Sequence, residues 1–404
     1  MRQHSLPADH WRWPIEVGHS PGVRDGEMVF VGGQADLSSS GEVRHAGDPA
    51  AQTTAALVHM AAVLGDLDAD VSDVVKLVVF YRDRGEADEA GLLAAIRARF
   101  ADEPPPALAA VPLPSLGLPG LEVVIEAIAM RGVAGERLLR TAFNPDGHWD
   151  WPFSHGLRCG DLVFVGTQMP LDRSGGMRGP GDPVAQAQIN IENLARVLAG
   201  FGAEPDDVCR INTYYLGHGT AKDWAEAGRI RGHAFTWPGP VGTGVPVPAL
   251  FPDGLTQRQE AFAMIGADGA RLARTALRPE GHWDWPVPVN FQQIVRVGRM
   301  IFIGGQISAR GIAEVVHPGD LSAQIDVCMR NIEATLKAVG VGMADIVKLN
   351  AFYKGGDNPD ELYRTLSICD SWFEGPGPVI TAVPLAKLGV EGLEVEIEGY
   401  AMAD

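Results

Sequence analysis

Hydrophobic spacing divides residues 160–265 into a short series of elements. DLVFVGTQ (161–168) is a continuous apolar run and predicts a buried strand, followed by a Gly-rich hairpin turn. GDPVAQAQINIENLARVLAGFG (181–202) changes to a helical period: Leu194, Val197, Leu198 and Phe201 form an i, i+3, i+4, i+7 stripe. Asp182 suits the N-cap, Pro183 the first helical position and Gly202 the exit. VCRINTYYL (208–216) predicts a second strand and residues 221–235 a second helix; a Pro-rich loop then leads to a last strand ending at Ala263. The order of strands, helix, strand, helix, strand predicts an α+β layer with its helices on one face.

The same series occurs three times. FVGGQ (30–34), FVGTQ (164–168) and FIGGQ (302–306) correspond, as do GDPAAQ, GDPVAQ and GDLSAQ, and the strands that carry Tyr81, Tyr215 and Tyr353. The last strands, IEAIAM, QEAFAM and IEGYAM, carry Glu126, Glu260 and Glu398. From the Gln onward the offsets are constant, 134 and then 138 residues. Such a period is far longer than a solenoid repeat, so each unit is a whole domain. The chain divides into domains at 1–134, 135–268 and 269–404, with joins in RLLRTAFNPDG and RLARTALRPEG.

The ordered motifs resemble the RidA/YjgF family of reactive-intermediate deaminases: a strand ending in GQ, a Q-x6-N helix (Gln186/Asn193, Gln324/Asn331, with His59 at the first Asn position), a VVK-type strand and an IEAIA strand. That resemblance implies the chorismate-mutase-like α+β fold. It also implies an intramolecular pseudo-trimer, because the family's members are homotrimers with sites between subunits. The family's carboxylate-binding Arg falls on Leu108, Gly242 and Ile380, and so is missing three times. The resemblance places the family's general acid/base on Glu126, Glu260 and Glu398, and its pocket Tyr on Phe153 and Phe291, with His155 beside Phe153.

Tryptophan adds a further signal. Six of the nine Trp fall in DHWRWP (9–14) and two copies of GHWDWP (147–152 and 281–286), directly ahead of the expected pocket. If the phrase is extended, Trp149 and Trp151 share one face and His148 and Asp150 the other, so the Asp would orient the His and raise its basicity. Packing alone explains paired Trp equally well. Arg258 shares a strand face with Glu260 and either replaces the lost anion clamp or pairs with Glu396 of the next repeat.

Composition narrows the function classes. A formal charge of -18 repels phosphate backbones and anionic lipid, which argues against nucleic acid, membranes and the ribonuclease label attached to this family. No apolar run approaches the roughly 20 residues of a spanning helix, and the N-terminus has no apolar signal core. Four Cys without metal spacing predict buried thiols in a reducing cytoplasm. No metal or other cofactor is expected.

Two functions remain. One is a hydrolase or deaminase acting on a small planar imine, enamine or cyclic amide, distinct from the standard 2-aminoacrylate/2-iminopropionate deaminase. Glu260, Glu398 or Glu126 would shuttle protons with His155 nearby, and Trp149, Trp151, Phe153, Trp283, Trp285, Phe291, Arg258, Tyr215 and Tyr353 would bind substrate. The other is a non-catalytic small-molecule-binding or scaffold protein. The competent cleft is expected between repeats 2 and 3, and whole chains are free to pair into dimers.

Overall fold

The structure, a computed structural model, describes residues 2–8, 10–100 and 104–404. The first domain comprises β1 (Gln3–Ser5), β2 (Gly22–Asp25), β3 (Met28–Gln34), α1 (Pro49–Asp66), β4 (Val74–Arg82), α2 (Glu86–Arg99), β5 (Ala107–Leu113) and β6 (Val123–Met130). The second repeats it as β7 (Arg140–Phe143), β8 (Gly156–Cys159), β9 (Leu162–Gln168), α3 (Pro183–Ala199), β10 (Val208–Leu216), α4 (Ala225–His233), β11 (Val241–Val247) and β12 (Gln257–Met264). The third has β13 (Arg274–Leu277), β14 (Ile294–Val297), β15 (Met300–Ile307), a small hairpin β16 (Ala309–Arg310) and β17 (Glu314–Val315), α5 (Leu321–Ala338), β18 (Ile346–Lys354), α6 (Pro359–Asp370), β19 (Val379–Leu385) and β20 (Val395–Met402).

The expected helix caps form. Asp182 accepts from the Val184 and Ala185 amides at 3.0 Å, Asp48 caps α1 in the same way, and Asp320 accepts from Ala323 N. Gly202 leaves α3 with φ +74°, a conformation that disfavours any Cβ. The Q-x6-N spacing has a structural cause. The Gln186 amide donates to Gly254 O at 2.7 Å and accepts from Thr256 N at 2.8 Å, fastening α3 to the loop before the last strand; Gln52 and Gln324 do the same. Asn193 and Asn331 donate to the Met169 and Ile307 carbonyls, fastening the helix to the residue that follows the GQ pair.

Each domain forms one six-stranded sheet, ordered β1-β2-β3-β6-β4-β5 in the first and correspondingly in the others. Among the described residues, only the edge pairs β4/β5, β10/β11 and β18/β19 are parallel strand pairs. The sequence assigned this edge strand to a Pro-rich loop. Pro112, Pro246 and Pro384 lie within it, and an edge strand tolerates Pro because its outward N–H groups need no ladder partner. The presumed joins also contain strands, β7 and β13, at the opposite edge. The second helix starts later than expected, at Ala225, because Thr220 and Asp223 cap a separate 3-10 turn at Ala221–Asp223.

The three sheets close on one another. Bridges join Ala107 to Ser154, Val241 to Gln292 and Gly377 to His19, so each parallel edge meets the next domain in cyclic order. Phe30, Phe164, Phe302, Phe262 and Tyr400 pack together on the inner faces in a core drawn from all three domains. The α+β class and the pseudo-threefold arrangement of three tandem domains are therefore as the repeats predicted. Among the described residues, no helix is long and apolar enough to cross a membrane.

Candidate active site

The last strands β6, β12 and β20 bring Glu126, Glu260 and Glu398 together at the pseudo-threefold axis. Each faces a cation from the preceding domain in the cycle. Glu260 pairs with Lys76, Glu398 with Arg210, and Glu126 with Lys348 at 2.5 Å. Tyr214 donates to Glu260 at 3.0 Å, Asn350 to Glu126 at 2.8 Å and Asn212 to Glu398 at 3.3 Å. All six ionic side chains are buried. The ring joins the domains electrostatically, with every charge matched, and it lies apart from the Trp phrases.

Those phrases lie between the first and second strands of each sheet. His10 Nε2 lies 2.9 Å from Gln34 Oε1 and His282 Nε2 2.7 Å from Gln306 Oε1, so the phrase is tied to the Gln that ends the GQ strand. Trp11, Trp149 and Trp283 are buried, while Trp13, Trp151 and Trp285 are half-buried. The expected His–Asp pair does not form: Asp284 accepts two bonds from Arg278, at 2.8 and 2.9 Å, and one from Trp285 N at 2.8 Å, and Asp150 is exposed. Arg278 is held for this by stacking on Trp237 and Trp285, 4.9 Å from each ring centre.

His155 Nε2 lies 3.1 Å from Trp149 O, and Gln293 makes the same bond to Trp283 O. His155 thus takes the place of an anchoring amide. Burial lowers its pKa, while burial, then His155 and Arg196, bring that of His148 down to about 4.

The three inter-domain interfaces differ. Between domains 1 and 2, Arg258 forks onto Glu89 at 2.8 and 2.9 Å and also donates to Ala110 O and Phe251 O. Tyr81 donates to the same Glu89. Leu108 and Phe153 fill the remaining space, both within the first domain's core cluster. Arg258 is therefore committed to a carboxylate, but one from α2 rather than from Glu396. Between domains 3 and 1, Val124 packs against Thr381 across Gly33, and Gly117 lies against the Tyr353 hydroxyl.

Between domains 2 and 3 lies a cleft that encloses about 90 Å³ and widens to about 790 Å³ with the open space at its mouth. Trp283, Trp285 and Phe291 form an aromatic wall, with Tyr215, Thr213, Thr243 and Arg231 opposite and Glu396 at the strand floor. Glycine keeps it open. Gly242 occupies the place of Leu108, and a Cβ there would come within 3.3 Å of the Phe291 ring. A Cβ at Gly305 would lie 1.8 Å from Glu396 Oε1, so only glycine leaves room for that carboxyl.

No hydrogen bond or ion pair meets the Glu396 carboxyl among the described residues. It opens onto the cavity, so the residue is half-buried by surface while its charge is shielded from bulk water. Burial, reinforced by the Glu398 carboxylate, pushes its pKa up to about 8. Tyr215, Trp283, Trp285 and Phe291, all expected at a site, meet in this cavity; Glu126, Glu260, Glu398, Arg258, Trp149, Phe153 and His155 do not line it. Sequence reasoning noticed Glu396 only as a partner for Arg258 and passed over Arg231. Glu396 carried one usable signal, a second carboxylate two residues before Glu398 on the same strand face. Among the described residues no three His, Cys, Asp or Glu side chains gather as a metal site.

Three sheets closed about one axis, with clefts between consecutive domains, define the tandem form of a trimeric α+β barrel. The model of the Endoribonuclease L-PSP family matches residues 14–131, 149–256 and 286–403, and the chain belongs to that family three times over. It is similar to a 2-iminobutanoate/2-iminopropanoate deaminase of Dermatophagoides farinae, 26% identical over 120 residues, which are 30% of this chain and 91% of the relative. It is also similar to Protein DfrA of Myxococcus xanthus, 33% identical over 115 residues, or 28% of this chain and 85% of that protein. The crystal structure of the YjgF gene product from E. coli is 32% identical over 28% of this chain and 87% of its own, with a TM-score of 0.25.

Proposed function

We propose that the chain is a C–N hydrolase of the deaminase type, working in the cleft between domains 2 and 3 on a small planar imine, enamine or cyclic amide. The observation that carries this reading is a carboxyl with a pKa near 8 facing a cavity walled by three aromatic rings. At neutral pH Glu396 holds its proton. It donates that proton to the substrate nitrogen while water adds to the carbon of the C=N bond. The carboxylate takes a proton back from the added water, passes it to the carbinolamine nitrogen as that leaves as ammonia, and recovers one from the hydroxyl, which becomes the carbonyl. The aromatic wall stacks the planar body. The deaminase activity named for the Dermatophagoides farinae relative supports the reaction class, and the open cavity supports this cleft over the other two.

The test is ammonia release from a panel of planar imines and enamines, and ring opening of planar cyclic amides. Turnover is expected to hold at neutral pH and fall as pH rises through about 8, where Glu396 loses its proton. A rate that climbs through that range instead would remove Glu396 as the acid.

2-Iminopropionate generated in situ is expected to hydrolyse no faster than in buffer. Leu108, Gly242 and Ile380 offer its α-carboxylate no guanidinium, and loss of such a charge-assisted clamp costs on the order of 3 kcal/mol, a factor above about one hundred. Efficient turnover would show that another cation holds an α-carboxylate.

The arrangement also implies that one chain supplies both faces of each of the three interfaces. Light scattering on the purified protein should give 43.1 kDa or a dimer of that mass. A stable species of three chains would contradict the closed intramolecular arrangement.

A further inference from the structure

Arg231 lies on α4 with its guanidinium buried, and it lines the same cavity. One of its nitrogens donates to Gln257 Oε1 at 2.6 Å. No carboxylate meets it among the described residues. The contrast with Arg258 is direct. That side chain is equally buried and holds both oxygens of Glu89 as well as two backbone carbonyls. A guanidinium carries five N–H donors and keeps its charge at any ordinary pH, so a buried one without a counter-ion carries an uncompensated desolvation cost. Here that cost is visible: burial brings the Arg231 pKa down to about 10, opposed only by Tyr215.

The cavity therefore holds one unmatched positive charge at its α4 wall, while Glu396 at the floor is neutral at pH 7. Both groups line the cavity, yet no ion pair joins them among the described residues. Both act on the Tyr215 hydroxyl, which Glu396 makes harder to ionise and Arg231 easier, after burial itself has raised its pKa. Tyr215 thus stands between the anion-attracting end and the proton-donating end.

We propose that Arg231 anchors an anionic group of the ligand, so that this cleft takes planar molecules whose carboxylate is separated from the reacting C–N centre by about the length of an aromatic ring. This inference rests on the reading of the same cleft as the working site. It goes beyond it in assigning the ligand's charge and the place of that charge. An α-imino acid, with carboxylate and imine on adjacent carbons, falls outside this class.

Calorimetric titration with three planar probes tests this without requiring turnover. 4-Aminobenzoate carries its anion and its nitrogen at opposite ends, anthranilate on adjacent carbons, and 4-aminobenzamide is the neutral isostere of the first. 4-Aminobenzoate should bind at least about tenfold more tightly than either of the others. Arg231→Gln should remove that advantage while leaving 4-aminobenzamide affinity unchanged, which also shows that the cleft remains folded; Arg231→Lys should retain part of it. Equal binding of benzoate and benzamide by the native protein overturns the proposal. So does an Arg231→Gln effect that falls equally on both, or no binding of 4-aminobenzoate at millimolar concentration. Glu396→Gln leaving turnover intact would defeat the acid assignment alone, and the Arg231 result would stand.

Discussion

Glu396→Gln should slow turnover by roughly 10²–10⁴-fold, the usual contribution of a positioned general acid, and at the same time stabilise the fold. The two effects share one cause. A carboxyl with a folded pKa near 8 binds its proton more tightly than the unfolded chain does, whose Glu titrates near 4.5. Its stabilising contribution is complete below the unfolded value and is lost as pH rises through the folded one. Between pH 5 and 8 the native protein should therefore lose stability relative to the Gln variant, by on the order of 2 kcal/mol after allowing for water in the cavity. Urea denaturation at pH 5, 6.5 and 8, in parallel with ammonia release, measures both. Parallel stability curves for the two proteins would mean that Glu396 titrates normally. Undiminished turnover in the variant would remove it from the chemistry. Glu260→Gln, by contrast, should affect activity only as far as it disturbs the axis.

The axial ring supplies the second large effect. Lys76→Met leaves Glu260 buried without its ion-pair partner, and breaking a buried pair in this way costs about 3–5 kcal/mol. Removing both partners, as Lys76→Met with Glu260→Met, should recover most of that loss, because two well-packed apolar side chains replace two desolvated charges. The pair bridges domains 1 and 2, so the single variant should also loosen that interface, visible as faster amide exchange along β4 and β12. A single-variant cost below about 1 kcal/mol would show that water reaches the ring and that the charges are effectively solvated.

Much of this architecture is written in local patterns. The threefold repetition marks the domains, and the Asp caps and the Gln and Asn of the α3 motif are short-range signals, each with a hydrogen bond in the structure to account for it. The parallel edge strand was hidden because VGTGVPV combines Gly and Pro, which read as loop until a neighbouring domain is present to cover the edge. The site was half legible. The aromatic wall followed from the Trp phrase, whereas the choice between Glu396 and Glu398 did not. Residues two apart share a strand face, and nothing local says which of them meets the axis and which the cleft. Arg231 was invisible for a different reason: α4 is short and weakly patterned, and an inward-pointing charge runs against the reading that polar positions face solvent.

Joining the three domains in one chain has a genetic consequence. In an assembly of three identical subunits, a single codon rewrites every cleft at once, so any change that closes one closes all. Here the codon for residue 258 reaches one interface and the codon for residue 396 another. Selection could fill the first with an Arg–Glu fork and leave the second hollow, without asking either sequence to serve both ends.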